Sequence, residues 1–106
     1  MYPIGYNQRV IAIRKTDDYE RWFSRLRDER AKARINIRIR RLSLGNPGDV
    51  KPVGGGVSEL RIDVGKGYRV YFIRRGDQAI LLTGGDKATQ SRDIEKAKRM
   101  AMEEQS

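Results

Sequence analysis

The sequence predicts an α+β fold: an antiparallel β-sheet with two N-terminal helices and one C-terminal helix, in the order β-α-α-β-β-β-α. Three observations carry that expectation. Apolar residues recur at helical spacing before residue 45. Ser58–Phe72, SELRIDVGKGYRVYF, alternates apolar and polar residues on both sides of Gly65-Lys66-Gly67, as a hairpin does. After Asp86 the helical spacing returns. A chain of 106 residues without internal repeats reads as a single domain, 1–106. Met1–Gln8 reads as a frayed lead-in to it.

The first strand is expected at Arg9–Lys15, RVIAIRK, which is rich in β-branched residues. Thr16, Asp17 and Asp18 then offer helix-capping side chains. Tyr19, Trp22, Phe23 and Leu26 follow at i, i+3, i+4 and i+7, one apolar stripe best explained by core packing. A second helix is expected over Arg30–Leu44. Ala31, Ile35, Ile39 and Leu42 form its main stripe, and Ala33, Ile37 and Leu44 a smaller one opposite. The second stripe needs a cover, either the first helix or another protein. The arginines between the stripes read as a solvated face.

Gly45–Gly56, GNPGDVKPVGGG, holds five glycines and two prolines and is expected to be irregular. The hairpin follows. A three-residue turn would pair Val64 with Tyr68, Ile62 with Val70 and Leu60 with Phe72. It would also set Asp63 opposite Arg69 and Arg61 opposite Tyr71. Gly76-Asp77 makes a tight turn into Ala79–Thr83. Ile73 should then pair with Ile80, Phe72 with Leu81, Tyr71 with Leu82 and Arg69 with Gly84. The final helix is expected over Thr89–Glu104, capped by Thr89 or Ser91, with Ile94, Ala97, Lys98 and Ala101 on its less polar side. Ile73, Ile80 and Leu82 lie on the outer sheet face and need a cover from the chain itself or from a partner.

Composition narrows the chemistry. The net charge is +9, from 23 Lys and Arg against 14 Asp and Glu, which favours an anionic partner such as nucleic acid. There is no cysteine and no histidine. Disulfides, thiol nucleophiles, the Ser-His triad and the commonest zinc ligand are therefore excluded. No apolar run approaches the ~20 residues of a membrane span, and no secretory signal opens the chain. A cytoplasmic location fits these features. Arg61, Arg69 and Tyr71 share one face of the expected hairpin, where two guanidiniums and a ring can grip phosphate and stack on a base. The plain structural roles are an Arg69–Asp63 ion pair, contributing about 0–1 kcal/mol, and a cation–π contact of Arg61 on Tyr71, about 0.5–1 kcal/mol.

The element order, ELRID at Glu59–Asp63, GYRVYF at Gly67–Phe72 and GGDKATQSRDI at Gly84–Ile94 resemble the RelE/ParE toxin superfamily. GNPGDVKPVGGGVSELRID looks like its HigB-like, addiction-module killer branch. The resemblance runs from Arg9 to about Lys98. It implies a RelE-like twisted sheet carrying two helices, and a toxin of a type II toxin–antitoxin system held inactive by a helix-turn-helix antitoxin. Members either cut mRNA in the ribosome without metal or cofactor, or poison DNA gyrase. On the nuclease reading, Arg69 matches the arginine of the G-Y-R strand, Arg61 falls in a strand where members carry a basic residue, Lys87 follows the last hairpin strand, and Lys51 sits in a loop that bears a catalytic residue in some members. These four are the candidate catalytic residues, and Tyr71 and Arg92 are candidate substrate-binding residues. Lys51 and Lys87 are candidates for proton transfer. Many members carry a Tyr or His just after the last basic cluster. Here Ala88, Thr89 and Gln90 follow Lys87, which favours the gyrase alternative. A third reading, a non-catalytic basic binding module, would use the helix around Arg30–Arg41.

Overall fold

A computed structural model describes residues 10–105. Strand β1 (Ala12–Lys15) leads directly into α1 (Asp17–Arg25). Thr16 is the N-cap, its hydroxyl accepting from the Tyr19 N–H at 3.0 Å, and three acidic residues in the first turn suit the helix dipole. Asp28 caps α2 (Glu29–Ser43) in the same way, through the Ala31 N–H. Strands β2 (Val50–Gly54), β3 (Val57–Ile62), β4 (Tyr68–Arg75) and β5 (Gln78–Asp86) follow. A single 3₁₀ turn (Lys87–Thr89) then leads into α3 (Gln90–Gln105). Asp86, not Thr89 or Ser91, starts that final helical run, accepting from the Ala88 N–H at 2.9 Å.

The five strands lie in the order β1-β5-β4-β3-β2. The fold is α+β as expected, but the sheet is mixed and has one strand more. β1 runs parallel to β5, pairing Ala12 with Gln78. The segment expected to be irregular contains β2, an edge strand on β3. Edge pairing explains how Pro52 is tolerated there, since a missing N–H on an outer edge costs no ladder bond. The first strand begins at Ala12 rather than Arg9. Arg9 and the Met1–Gln8 lead-in lie outside the described residues.

Hairpin register also departs from expectation. Ile62 pairs with Tyr68, Leu60 with Val70 and Glu59 with Tyr71, and Arg61 stands opposite Arg69. The connection is five residues long, with Gly65 at φ +55° and Gly67 at φ +75°, so Val64 and Asp63 lie in the turn. The slip is two residues, which preserves the face of every side chain. Across β4 and β5 the pairs Ile73–Ile80 and Phe72–Leu81 form as expected. A bulge then sets Thr83 opposite Tyr71 and Gly85 opposite Arg69.

Helices cover both sheet faces. On one side α1 and α2 press Tyr19, Ile35, Ile39 and Leu42 onto Leu60, Ile62, Val70 and Leu81. On the other, α3 lays Ala97 and Ala101 over Val57, Tyr71, Ile73, Ile80 and Leu82. The outer sheet face is thus closed by the chain's own helix. The second stripe of α2 is not closed: Ile37 and Leu44 are 49% and 57% exposed. No described helix is long and apolar enough to cross a membrane.

Candidate functional site

Register builds the site. On the α3 side of the sheet, Lys51, Glu59, Tyr71 and Thr83 stand in one row across β2 to β5, and Arg61, Arg69 and Gly85 in the next. Glu59 is the centre. It is fully buried, and its Oε2 accepts from the Tyr71 hydroxyl at 3.0 Å and from Gln90 Nε2 at 2.8 Å. Arg61 Nε lies 3.5 Å from Oε1, and Arg69 Nε lies 3.8 Å from Oε2. A buried carboxylate needs such company, because an unpaired charge there is strongly destabilising. Burial, with the nearby Glu59 charge, pushes the Tyr71 phenol well above its ordinary pKa of 10.0, so it stays protonated and serves as a donor to Glu59.

The arginines differ in access. Arg69 is 7% exposed. Its Nη1 donates to the carbonyls of Gly67 and Tyr68 at 3.1 and 3.2 Å, holding the turn. Arg61 keeps 36% of its side chain open. Lys51 and Lys87 are exposed, and the side chain of Arg92 is 79% exposed. Lys87 and Arg69 meet at Gly67: a Cβ there would lie 3.4 Å from Lys87 Cβ and 3.6 Å from Arg69 Nη1. A shallow cleft of about 330 Å³ runs from Lys87 to Arg92 along the start of α3. Among the described residues, no group of three or more Asp and Glu side chains is arranged to hold a metal ion.

All six residues picked from the sequence therefore fall on one face or at one end of the sheet, but two of them, Arg69 and Tyr71, are buried rather than open to a ligand. Tyr71 is no stacking platform, because α3 covers it completely. Arg69 does not pair with Asp63, because the longer turn sets Arg61 opposite it, and it is buried. Arg61 likewise does not face Tyr71 across the hairpin. The solvent-facing cations are Lys51, Arg61, Lys87 and Arg92, and Arg69 and Tyr71 support them from below. Sequence reasoning missed Glu59 and Gln90. A signal existed: Glu59 alternates onto the same face as Tyr71, and the apolar neighbours of Tyr71 on that face demanded a cover.

α3 is anchored at its start. Asp93, 6% exposed, accepts from the Thr89 hydroxyl and sits on Gly85, where a Cβ would come within 1.8 Å of its Oδ2. Asp18 on α1 accepts from Thr83 Oγ1 at 2.6 Å and pairs with Lys96 Nζ at 2.8 Å. One carboxylate therefore joins α1, β5 and α3.

Residues 21–103 match the family described as phage-derived protein Gp49-like (DUF891). The chain belongs to that family. Gp49-like proteins are associated with toxin–antitoxin modules. An uncharacterized protein of Haemophilus influenzae is 53% identical over 95 residues, 89% of this chain and 96% of that protein. The family match, residues 21–103, spans both helical layers and the four strands from β2 to β5, and so includes every residue of the cationic face.

Proposed function

We propose that this Gp49-like chain is the toxin of a type II toxin–antitoxin pair, a ribosome-dependent endonuclease that cuts mRNA and arrests translation in the cytoplasm. One observation carries the reading: Arg61 keeps 36% of its side chain open to solvent while its Nε forms an ion pair, at 3.5 Å, with a fully buried carboxylate. Its guanidinium is pre-aimed, with Lys51 in the neighbouring strand and Lys87 at the sheet end. Pre-aimed cations stabilise the charge that builds on a phosphate in the transition state. The ribose 2′-oxygen attacks the adjacent phosphorus, the bond to the 5′-oxygen breaks, and a 2′,3′-cyclic phosphate and a 5′-hydroxyl result. Lys51 and Lys87 are the groups available to take the 2′-proton and to supply one to the leaving oxygen. Arg69, Tyr71 and Gln90 act through Glu59 as positioning residues. A helix-turn-helix antitoxin is the proposed partner, and the exposed Ile37 and Leu44 give it an apolar surface to cover.

A second reading, gyrase poisoning, draws on a specific feature. After Lys87 the chain offers no imidazole or free phenol: Gln90 is committed to Glu59, and Tyr71 is buried. Brief induction followed by primer-extension mapping of mRNA ends separates the two. New ends on translated mRNA alone, lost in an Arg61→Ala/Lys87→Ala double variant that still folds, are expected. DNA replication stopping before protein synthesis, with mRNA intact, would reject the nuclease in favour of the gyrase reading.

A further inference from the structure

On the opposite side of the sheet end lies a cleft of about 450 Å³, between the α1–α2 junction and the hairpin turn. This is within the range of roughly 300–1,000 Å³ typical of small-molecule sites. Its walls are aromatic and its rim is cationic. Trp22 and Tyr68 supply the rings, and Arg25, Arg27 and Lys66 the charges. The indole is held by a missing side chain: its six-membered ring lies over Gly84, where a Cβ would come within 2.3 Å of Trp22 Cε3.

Two carboxylates also line the cleft, Asp28 and Asp86. Both cap helical turns: Asp28 Oδ1 accepts from the Ala31 N–H at 3.0 Å, and Asp86 Oδ1 from the Ala88 N–H at 2.9 Å. Asp28 Oδ2 takes no part in its cap, whereas the Asp86 side chain also accepts from the Thr89 N–H in a capping box. Asp28 Oδ2 lies at the turn, 3.1 Å from the point a Gly65 Cβ would occupy. Their field is felt inside: the Tyr68 phenol is raised by burial and then by Asp28 and Asp86. The two carboxylates offer acceptors to a planar group rich in N–H donors. Lys66 and Asp86 also border the adjoining cleft that contains Lys87. The interior therefore opens directly onto the cationic face.

We propose that this cleft takes one nucleobase of the RNA strand, and that it prefers guanine. The inference deepens the RNA reading above and rests on it. Stacking on Trp22 gives base affinity. The guanine Watson–Crick edge presents N1–H and N2–H to Asp28 Oδ2 and the Asp86 carboxylate, while adenine presents an N1 acceptor to them. The phosphates on either side lie against Lys66 and Lys87.

Trp22 is the single tryptophan of the chain, so its fluorescence reports the cleft directly. The intact protein is titrated with GMP, AMP, CMP and UMP. Saturable quenching by GMP is expected, about tenfold tighter than by AMP, as for a paired base edge. Asp28→Asn keeps the helix cap, since Asn caps as well as Asp, but turns an acceptor into a donor. It should abolish the guanine preference and favour AMP. Asp86→Asn should weaken the preference independently, and serves if Asp28→Asn fails to fold. Equal quenching by all four nucleotides, no saturable quenching, or an unchanged preference in a folded variant would each overturn the assignment. mRNA cleavage without GMP binding rejects the cleft alone. GMP binding with the guanine preference but without cleavage rejects the nuclease and leaves the cleft standing.

Discussion

Glu59→Gln tests whether a single buried charge organises the cationic face. The substitution keeps the volume and an oxygen that can still accept from Tyr71 and Gln90, and it removes the charge. Arg69, 7% exposed, then loses the anion that, among the described residues, lies within ion-pair reach of it. Breaking a buried pair costs about 3–5 kcal/mol. Two facts reduce that here: the nitrogen–oxygen separations are 3.5 and 3.8 Å, and neither Glu59 Oε1 nor Arg69 Nε makes a hydrogen bond. A loss of about 2–3 kcal/mol is therefore expected, within the range for hydrogen bonds to charged groups. In a domain of this size it should lower Tm by about 10–20 °C. Urea unfolding followed by far-UV circular dichroism measures the loss, and Arg69→Met with the double variant completes a cycle. A coupling of about 1–3 kcal/mol is expected between the two sites. A Glu59→Gln protein within about 0.5 kcal/mol of the parent, or strictly additive losses, would refute the reasoning.

Two further perturbations probe the support of the site. Gly84→Ala places a methyl 2.3 Å from Trp22 Cε3. The indole must move, at a cost of about 1–3 kcal/mol, and the emission maximum should shift; an unchanged spectrum and melting curve would contradict that contact. Asp18 is raised by burial, but hydrogen bonds from Lys96 and Thr83 outweigh this and hold its carboxyl below the ordinary 3.8. A folded-state pKa below the unfolded one gives stability that is full above pH 3.8 and lost as pH falls through the lower folded value. Lys96→Met should therefore lower the urea midpoint near neutral pH, and the gap from the parent should close in strong acid. A gap independent of pH would place the effect in packing rather than charge.

Much of the frame was legible in the residue order. Helical spacing found α1, α2 and α3, the alternation at Ser58–Phe72 found β3 and β4, and Gly76-Asp77 found the turn into β5. These are local signals. What failed was set by distant parts of the chain. The hairpin register depended on how Val64 and two glycines fold into the turn. β2 becomes a strand only because β3 offers an edge, which no propensity of Lys51-Pro52-Val53 announces. β1 is parallel because it closes on β5 and not on its sequence neighbours. At the site, residue types and face were readable, since a two-residue slip leaves the face unchanged. Access was not, because the burial of Tyr71 depended on where α3 docks and that of Arg69 on its place beside Glu59.

The pairing of the first described strand with the last has its own consequence. β1 and α1 draw their anchors from β5: Thr16 Oγ1 donates to the Leu82 carbonyl, 66 positions further along the chain, and Thr16 N–H to Leu81. Such contacts must meet a large loop-closure cost before they contribute anything. The β3–β4–β5 meander, built of near neighbours, carries no such burden. The N-terminal strand and helix should therefore join late in folding and open first from the native state, with their amides exchanging together ahead of the sheet centre. Trp22 travels with that unit, so its opening would remove a wall of the base cleft.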